Sequence, residues 1–552
     1  MILQTTSKPQ YDALGMRRSA AQGARDNLCP IGTGNKQEEV TMPHLSVTAA
    51  ETPQKPAYIM ANSGEVVTYG ELDARSNQVA HLFRLCDVGP GDHIAMMLVN
   101  CREFLEVAAA AMRSGVIFTP ISTHLKKDET AYILENCGAK LFIASSSLAE
   151  VAKMMVSEAP GVSHFYMVGG VYEGFESYEE AIDLLPSRPI DDQMMGAPML
   201  YSSGTTGQPK GVFVRPHTEQ WDAPLSLTNS IGAAFGFGSE TTYLSPAPLY
   251  HAAPLHYNML VLDTGGTTVI MEKFDAVRAL ELIEVYRVTH SQWVPIMFVR
   301  MLKLDEAIRR QFDLSSMQVA IHAAAPCPID VKEKMIEWWG PVIVEYYSSS
   351  EGAGFTLIDS ASWLEHKGSV GKALFGVPHI LDDEGNELSA GEVGTIWFSE
   401  IHNAFEYHNE PTKTKEAYNA SGWTTIGDVG YLDAEGFLYL TDRRNFTIIT
   451  GGVNVYPAEI ENLLIGHEKV ADVAVFGVAD EEFGEVVQAV VQPANWSEAT
   501  DDLAAELIAW TKERLSAIKV PKALDFMEQL PRMDNGKLYK RHLMEAYRNR
   551  DA

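Results

Sequence analysis

The stretch from His93 to Cys137, HIAMMLVNCREFLEVAAAAMRSGVIFTPISTHLKKDETAYILENC, decides the fold class. His93 to Leu98 is a continuous apolar run of strand length, and Glu103 to Arg113 carries its apolar residues at helical spacing. Val116 to Pro120 is again strand-like, and Asp128 to Cys137 again helical. Strands alternating with helices predict parallel sheets whose faces are covered by those helices. Working outward, the same grammar runs through Lys140–Ala144, His164–Val168, Thr241–Leu244, Thr267–Met271, Val288–Val294 and Val342–Tyr346, with Phe274–Tyr286 as a long helix. The fold class is therefore α/β, with a large N-terminal body of parallel-rich sheets over residues 41–443.

Beyond about residue 440 the texture changes. A helix opens at Pro457 (PAEIENLLI), where proline sits in the first turn and two glutamates follow. Strand-like runs at Val470–Val478 and Val487–Val491 and a helix over Leu503–Leu515 complete a small α+β domain, residues 444–552. Residues 1–40 mix Gly, Gln, Ser and charge without apolar periodicity, which predicts a loosely ordered N-terminal extension.

Composition narrows the function. Of 552 residues, 46% are hydrophobic and 21% charged, an ordinary globular balance that excludes global disorder. Lys and Arg total 43 against 73 Asp and Glu, a formal net charge of −30, so the summed field repels polyanions and nucleic acid is not an expected partner. The five cysteines lie far apart with no CxxC pair, which argues against a zinc cluster or a disulfide framework and for a reducing, cytoplasmic setting. No apolar run reaches the roughly 18–20 residues of a membrane span. A homodimer is compatible with this composition, although nothing in the sequence fixes an oligomeric state.

The chemistry concentrates in Tyr201–Val212, YSSGTTGQPKGV. Ser202, Ser203, Gly204, Thr205, Thr206 and Gly207 are small enough for backbone N–H groups to approach an anion, and their hydroxyls and Lys210 add donors. The stretch is a phosphate cradle, but not a P-loop: no GxxxxGK[ST] spacing occurs, and the lysine follows Pro209. A flexible linker would have no reason to follow a buried strand and end on a proline-fixed lysine.

This loop resembles the signature of the adenylate-forming enzymes, a superfamily of acyl-CoA synthetases, aryl-CoA ligases, luciferases and peptide-synthetase adenylation domains. Further segments match in the same order from about residue 55 to the C-terminus, most like bacterial fatty-acid-type acyl-CoA synthetases. The resemblance implies ATP, Mg²⁺ and coenzyme A, a mobile C-terminal domain, and roles residue by residue. EYYSSSEG places Glu345, Tyr346, Tyr347, Ser350 and Glu351 at ATP, with Tyr347 stacking on adenine and Glu351, together with Thr206, holding the metal. HAAAP places Ala323 and Ala324 beside the acyl pocket and adenine. Asp428 corresponds to the ribose-binding aspartate and Arg443 to the arginine on the ribose and phosphate side. Lys537 corresponds to the catalytic lysine of adenylation, acting with Glu351, Thr206 and Lys210, while Gly451 and Gly452 line the path of CoA.

Two positions depart from the pattern. Asn445 stands at the hinge where many relatives carry Lys or Asp, and Phe446 follows where an acidic residue is common. Ile426 replaces the usual threonine two residues before Asp428. The segment PAPLYHAAPLHYN offers no carboxylate for a substrate ammonium, which disfavours an α-amino acid. His251, Leu255, Met259, Met297 and Ala323 form an expected acyl pocket suited to a hydrophobic carboxylic acid, whether fatty, aryl or polycyclic. The expected reaction is acyl-AMP plus pyrophosphate, then acyl-CoA plus AMP. The alternative hands the acyl group to a carrier protein instead of CoA.

Overall fold

The computed structural model describes residues 44–202, 209–216, 220–222, 226–401, 405–443, 448–450, 453–480, 483–532, 538 and 540–548. The expected N-terminal extension lies outside these residues. Among them, three sheets account for the strands. In the first, eight strands run in the order Phe405–Tyr407, Lys210–Val214, Ala197–Ser202, Ile117–Pro120, His93–Met97, Ala139–Ser145, His164–Val168 and Glu176–Ser177. Pairing is parallel from Ala197–Ser202 onward and antiparallel at the two strands before it.

The second sheet has thirteen strands. Pro56–Met60, Thr267–Ile270, Thr242–Ser245, His290–Trp293, Val319–His322 and Ile343–Ser348 form its parallel half. From Ile343–Ser348 the sheet turns antiparallel through Phe355–Ile358 and Ser369–Phe375 to the strands Leu438–Arg443, Asp428–Leu432, Gly394–Ser399 and Val377–Leu381. The expected parallel-rich body thus carries an antiparallel half as well. Its strands are joined by close backbone crossings: at Gly371, φ +93°, a Cβ would lie 2.0 Å from the Leu357 carbonyl oxygen.

Helices begin where side chains cap them. Thr68 and Glu71 close a capping box on Tyr69–Leu85. Asp275 accepts from the Arg278 N–H at 2.8 Å, so the helix expected from Phe274 starts at Ala276. The helix Arg102–Arg113 buries every residue from Phe104 to Arg113. Its charged members are paired: Glu106 lies 3.0 Å from Arg102, and Arg113 is 2.6 Å from Asp73.

The smaller C-terminal domain carries a third sheet, with Val453–Val455, Ile448–Thr450, Gly484–Pro493, Val470–Asp480 and Ala523–Phe526. It packs the helices Pro457–Ile465 and Asp501–Lys512, the latter starting two residues earlier and ending three residues earlier than the pattern suggests. Ile460, Leu464, Val470 and Val475 share one apolar cluster with Ile283, Trp293 and Phe298 of the larger body. The Lys303 ammonium donates to the Val470 carbonyl across that contact. Among the described residues no helix is long and apolar enough to cross a membrane, and Cys86, Cys101, Cys137 and Cys327 are free thiols.

Candidate active site

The glycine and hydroxyl-rich loop is held by a strand pair. Ser202 and Lys210, which flank it, are register partners. Ser203, Gly204, Thr205, Thr206 and Gly207 lie outside the described residues. Gly211 is closely packed, and a Cβ there would sit 3.1 Å from the Tyr201 ring. Half-buried Lys210 points its ammonium at the ring of Tyr407, 4.9 Å from the centroid, and makes no ion pair with a described residue. Burial, then the charge of nearby Lys413, pull its pKa below the usual lysine range, while Glu351, Glu410 and Glu416 oppose the shift.

Tyr407 belongs to Phe405–Tyr407, the edge strand paired with Lys210–Val214. Its hydroxyl donates to Glu351 Oε1 at 3.0 Å. The sequence reading did not single out Tyr407 or Lys413. They lie about two hundred residues beyond the loop, and only the strand pairing brings them to it.

Glu351 stands beyond the strand Ile343–Ser348, 8% exposed. The strand's far end also delivers Tyr347, whose hydroxyl donates to Asp428 Oδ2 at 2.8 Å. Asp428 is 8% exposed and sits opposite Arg443 in the neighbouring strand pair. Ser350 is half-buried in the same turn. Tyr347 and Asp428 thus meet from separate strands of the thirteen-stranded sheet, and Tyr407 of the eight-stranded sheet contacts both Glu351 and Lys210.

Glu345 and Tyr346, expected beside ATP, have side chains engaged elsewhere. Strand residues alternate between faces, so Tyr346 points away from its neighbours. Its ring stacks on Phe355 at 4.9 Å, and its hydroxyl accepts from Gln292 Nε2 at 3.2 Å. Glu345 shares the Tyr347 face but lies under the helix Ile329–Trp339, where Lys332 pairs with it at 2.6 Å. His322 adjoins that pair, 3.6 Å from Glu345, and burial followed by the Lys332 charge holds its pKa well below the usual range. The next segment turns sharply: Ala324 takes φ +75°, a backbone state rare for a residue with a Cβ.

The expected acyl-pocket residues fall in separate packing clusters. Ala323 joins Phe235, Phe237, Tyr257, Tyr346 and Phe355. Leu255 and Met259 pack with the core around Phe104 and Tyr69, and Met297 with Trp293 and Phe298. His251 caps the helix Ala252–Asp263, its ring 4.5 Å from Tyr250. Lys537, Gly451, Gly452, Asn445 and Phe446 lie outside the described residues, as does the Arg443 side chain.

Glu351 suits a divalent metal. It is a hard oxygen donor with one oxygen held by a phenol, and among the described residues no group of three or more acidic, His or Cys side chains gathers to make a closed metal cage. Magnesium characteristically takes one or two carboxylates and completes its shell with phosphate oxygens and water.

Comparison with known proteins shows the family. Residues 45–408 match the AMP-binding enzyme family, and residues 459–537 match the AMP-binding enzyme C-terminal domain. A feruloyl-CoA synthase of an Amycolatopsis species is 32% identical over 88% of this chain and 94% of its own. The long-chain-fatty-acid–CoA ligase FadD13 of Mycobacterium tuberculosis is 31% identical over 91% of this chain and 97% of its own. The crystal structure of ATP-bound MatB from Rhodopseudomonas palustris superposes with a TM-score of 0.77 at 26% identity, covering 92% of this chain and 100% of that one.

Proposed function

The chain belongs to the AMP-binding enzyme family, and on that premise we propose that it is an ATP-dependent acyl-CoA ligase for a hydrophobic carboxylic acid, fatty, aryl or polycyclic. The observation that carries this reading is the set of contacts that brings Lys210, without an ion pair among the described residues, and the Glu351 carboxylate to one tyrosine, Tyr407, together with the Tyr347–Asp428 pair. Two of these are charges left available, and the third is a polar platform of the kind a ribose needs.

A carboxylate is a poor electrophile because its leaving group would be oxide. Attack of its oxygen on the α-phosphorus of ATP makes a mixed anhydride and expels pyrophosphate, which activates the acyl carbon. Negative charge builds on phosphate oxygens, so the effective catalysts are cations and donors already in place. Lys210 supplies one, with the loop 203–208 and Lys537 as the others. Tyr347 and Asp428 orient the nucleoside. Glu351 and Thr206 would hold magnesium, which when bound neutralises phosphate charge.

The second half-reaction is attack of the CoA thiol on the acyl-adenylate, releasing AMP. In this reading residues 41–443 form the adenylating domain, and residues 444–552 turn about Asn445 so that Gly451 and Gly452 replace Lys537 at the cleft. The enzyme acts in a reducing, cytoplasmic compartment.

The test is purified full-length protein with ATP, magnesium and a panel of fatty, aryl and polycyclic acids, with and without CoA, products identified by mass spectrometry. An acid-specific CoA thioester with matching AMP is the expected result. Pyrophosphate release that CoA leaves unchanged, with no thioester, would overturn the CoA assignment and favour a carrier protein as acceptor.

A further inference from the structure

Lys210 and Glu351 both contact Tyr407, one at its ring and the other at its hydroxyl, yet they make no ion pair with each other. The same protein shows what an unrestrained lysine and glutamate do in a buried setting: Lys332 and Glu345 close to 2.6 Å. Tyr407 is the side chain they share. Its hydroxyl donates to Glu351 Oε1 at 3.0 Å, and the Lys210 ammonium lies 4.9 Å from its ring centroid.

The backbone holds Tyr407 there independently of either charge. Tyr407 is the register partner of Val212, and its N–H donates to Thr414 Oγ1 at 2.9 Å. The next N–H, of His408, donates to the Gly211 carbonyl at 2.8 Å. The lysine's own strand and the helix after Tyr407 thus anchor the backbone that carries the ring.

We infer that Tyr407 is a positioning residue that holds the Lys210 ammonium and the Glu351 carboxylate apart, keeping the first available to a phosphate and the second to a divalent cation. The inference rests on the reading of this cleft as an ATP site and names a residue that the sequence motifs do not include. The chemistry of phenol suits the task. Its single O–H satisfies one lone pair of the carboxylate without cancelling the charge. Its ring attracts the ammonium through the quadrupole and leaves the three N–H donors free. A carboxylate in its place would neutralise Lys210, and an aliphatic side chain would let lysine and glutamate collapse together.

The experiment uses the full chain with Tyr407→Phe and Tyr407→Leu, and reads Mn²⁺ binding by electron paramagnetic resonance, ATP binding by calorimetry, and the unfolding midpoint. Tyr407→Phe keeps the ring and removes the donor, so Mn²⁺ binding in the presence of ATP weakens about tenfold, the scale of a hydrogen bond to a charged group, while metal-free ATP binding is unchanged. Tyr407→Leu weakens both, because the freed ammonium pairs with Glu351. Under turnover, Tyr407→Phe raises the metal concentration needed for half-maximal rate and leaves kcat at saturating metal near that of the parent. Wild-type metal binding in Tyr407→Phe would overturn the inference, as would a lowered unfolding midpoint with both affinities intact. Absence of ATP binding by the parent protein would instead overturn the ATP reading on which it stands. Should Tyr407→Leu fail to fold, Tyr407→Phe alone decides the matter.

Discussion

The couple Lys332–Glu345 and the couple Lys210–Glu351 use the same two residue types at opposite ends of one strand and its following turn, with opposite outcomes. Lys332 is fully buried over the Trp363 ring, and its charge is neutralised by Glu345. Lys210 is half-buried with its ammonium over the Tyr407 ring and makes no ion pair with a described residue. The difference teaches where this fold is scaffold and where it is machinery. A charge closed into an ion pair under a helix fixes β-strand position, whereas a charge held off its partner can act on a substrate.

The comparison breaks most visibly at the scaffold pair. Lys332→Met leaves Glu345 buried and uncompensated, and urea unfolding should show a loss of about 3–5 kcal/mol. Replacing both, Lys332→Met with Glu345→Gln, should restore most of it. A wild-type midpoint in the single variant would mean that the pair carries no structural load.

At the machinery end the same kind of change should spare stability and strike the reaction. Lys210→Met or Glu351→Gln should slow acyl-adenylate formation by about 2.7–4 kcal/mol, or 10²–10³-fold, with the unfolding midpoint unmoved. Lys537→Ala should cost a similar amount in adenylation yet leave thioester formation from supplied acyl-adenylate nearly intact. Equal losses in both half-reactions would remove its assigned role.

Smaller effects sharpen the contrast. Tyr347→Phe deletes the hydroxyl that Asp428 accepts, a bond to a charged group of about 1.5–3 kcal/mol, and should appear as a raised KM for ATP. The smallest expected effect lies beneath Tyr407. The His93 ring is 5.4 Å from that of His408, and burial, followed by the His408 charge, lowers its pKa from 6.5 to about 4. Between those two values the unfolded chain binds more protons than the folded one, so stability falls as the pH drops from 6.5 toward 4. His93→Gln should flatten that part of a pH–stability curve measured by chemical denaturation.

Much of this was legible in the sequence. The alternation from His93 to Cys137 reads directly as the parallel strands and covering helices observed, because each element carries its own periodicity. Tyr347 and Asp428 lie far apart in sequence, and the strand ends bring them to 2.8 Å. Tyr407 was not legible: its role depends on an antiparallel pairing with Lys210–Val214, and a tyrosine in a short polar segment has no local mark. Glu345 carried the opposite problem. Its motif position pointed to the nucleotide, but the helix Ile329–Trp339 places Lys332 over it, a tertiary contact that spacing does not encode. The antiparallel pairing within the large sheet likewise has no mark in the apolar period, since strand direction after Ile343–Ser348 is set by the connections.

The measurement that bears most directly on the central claim is exchange of labelled pyrophosphate into ATP by the full-length protein, acid by acid, without CoA. The claim that this cleft adenylates a carboxylate predicts exchange that requires a particular hydrophobic acid, needs no CoA, and disappears in Glu351→Gln while the protein remains folded. Exchange that is independent of any acid, or that persists undiminished in Glu351→Gln, would contradict it.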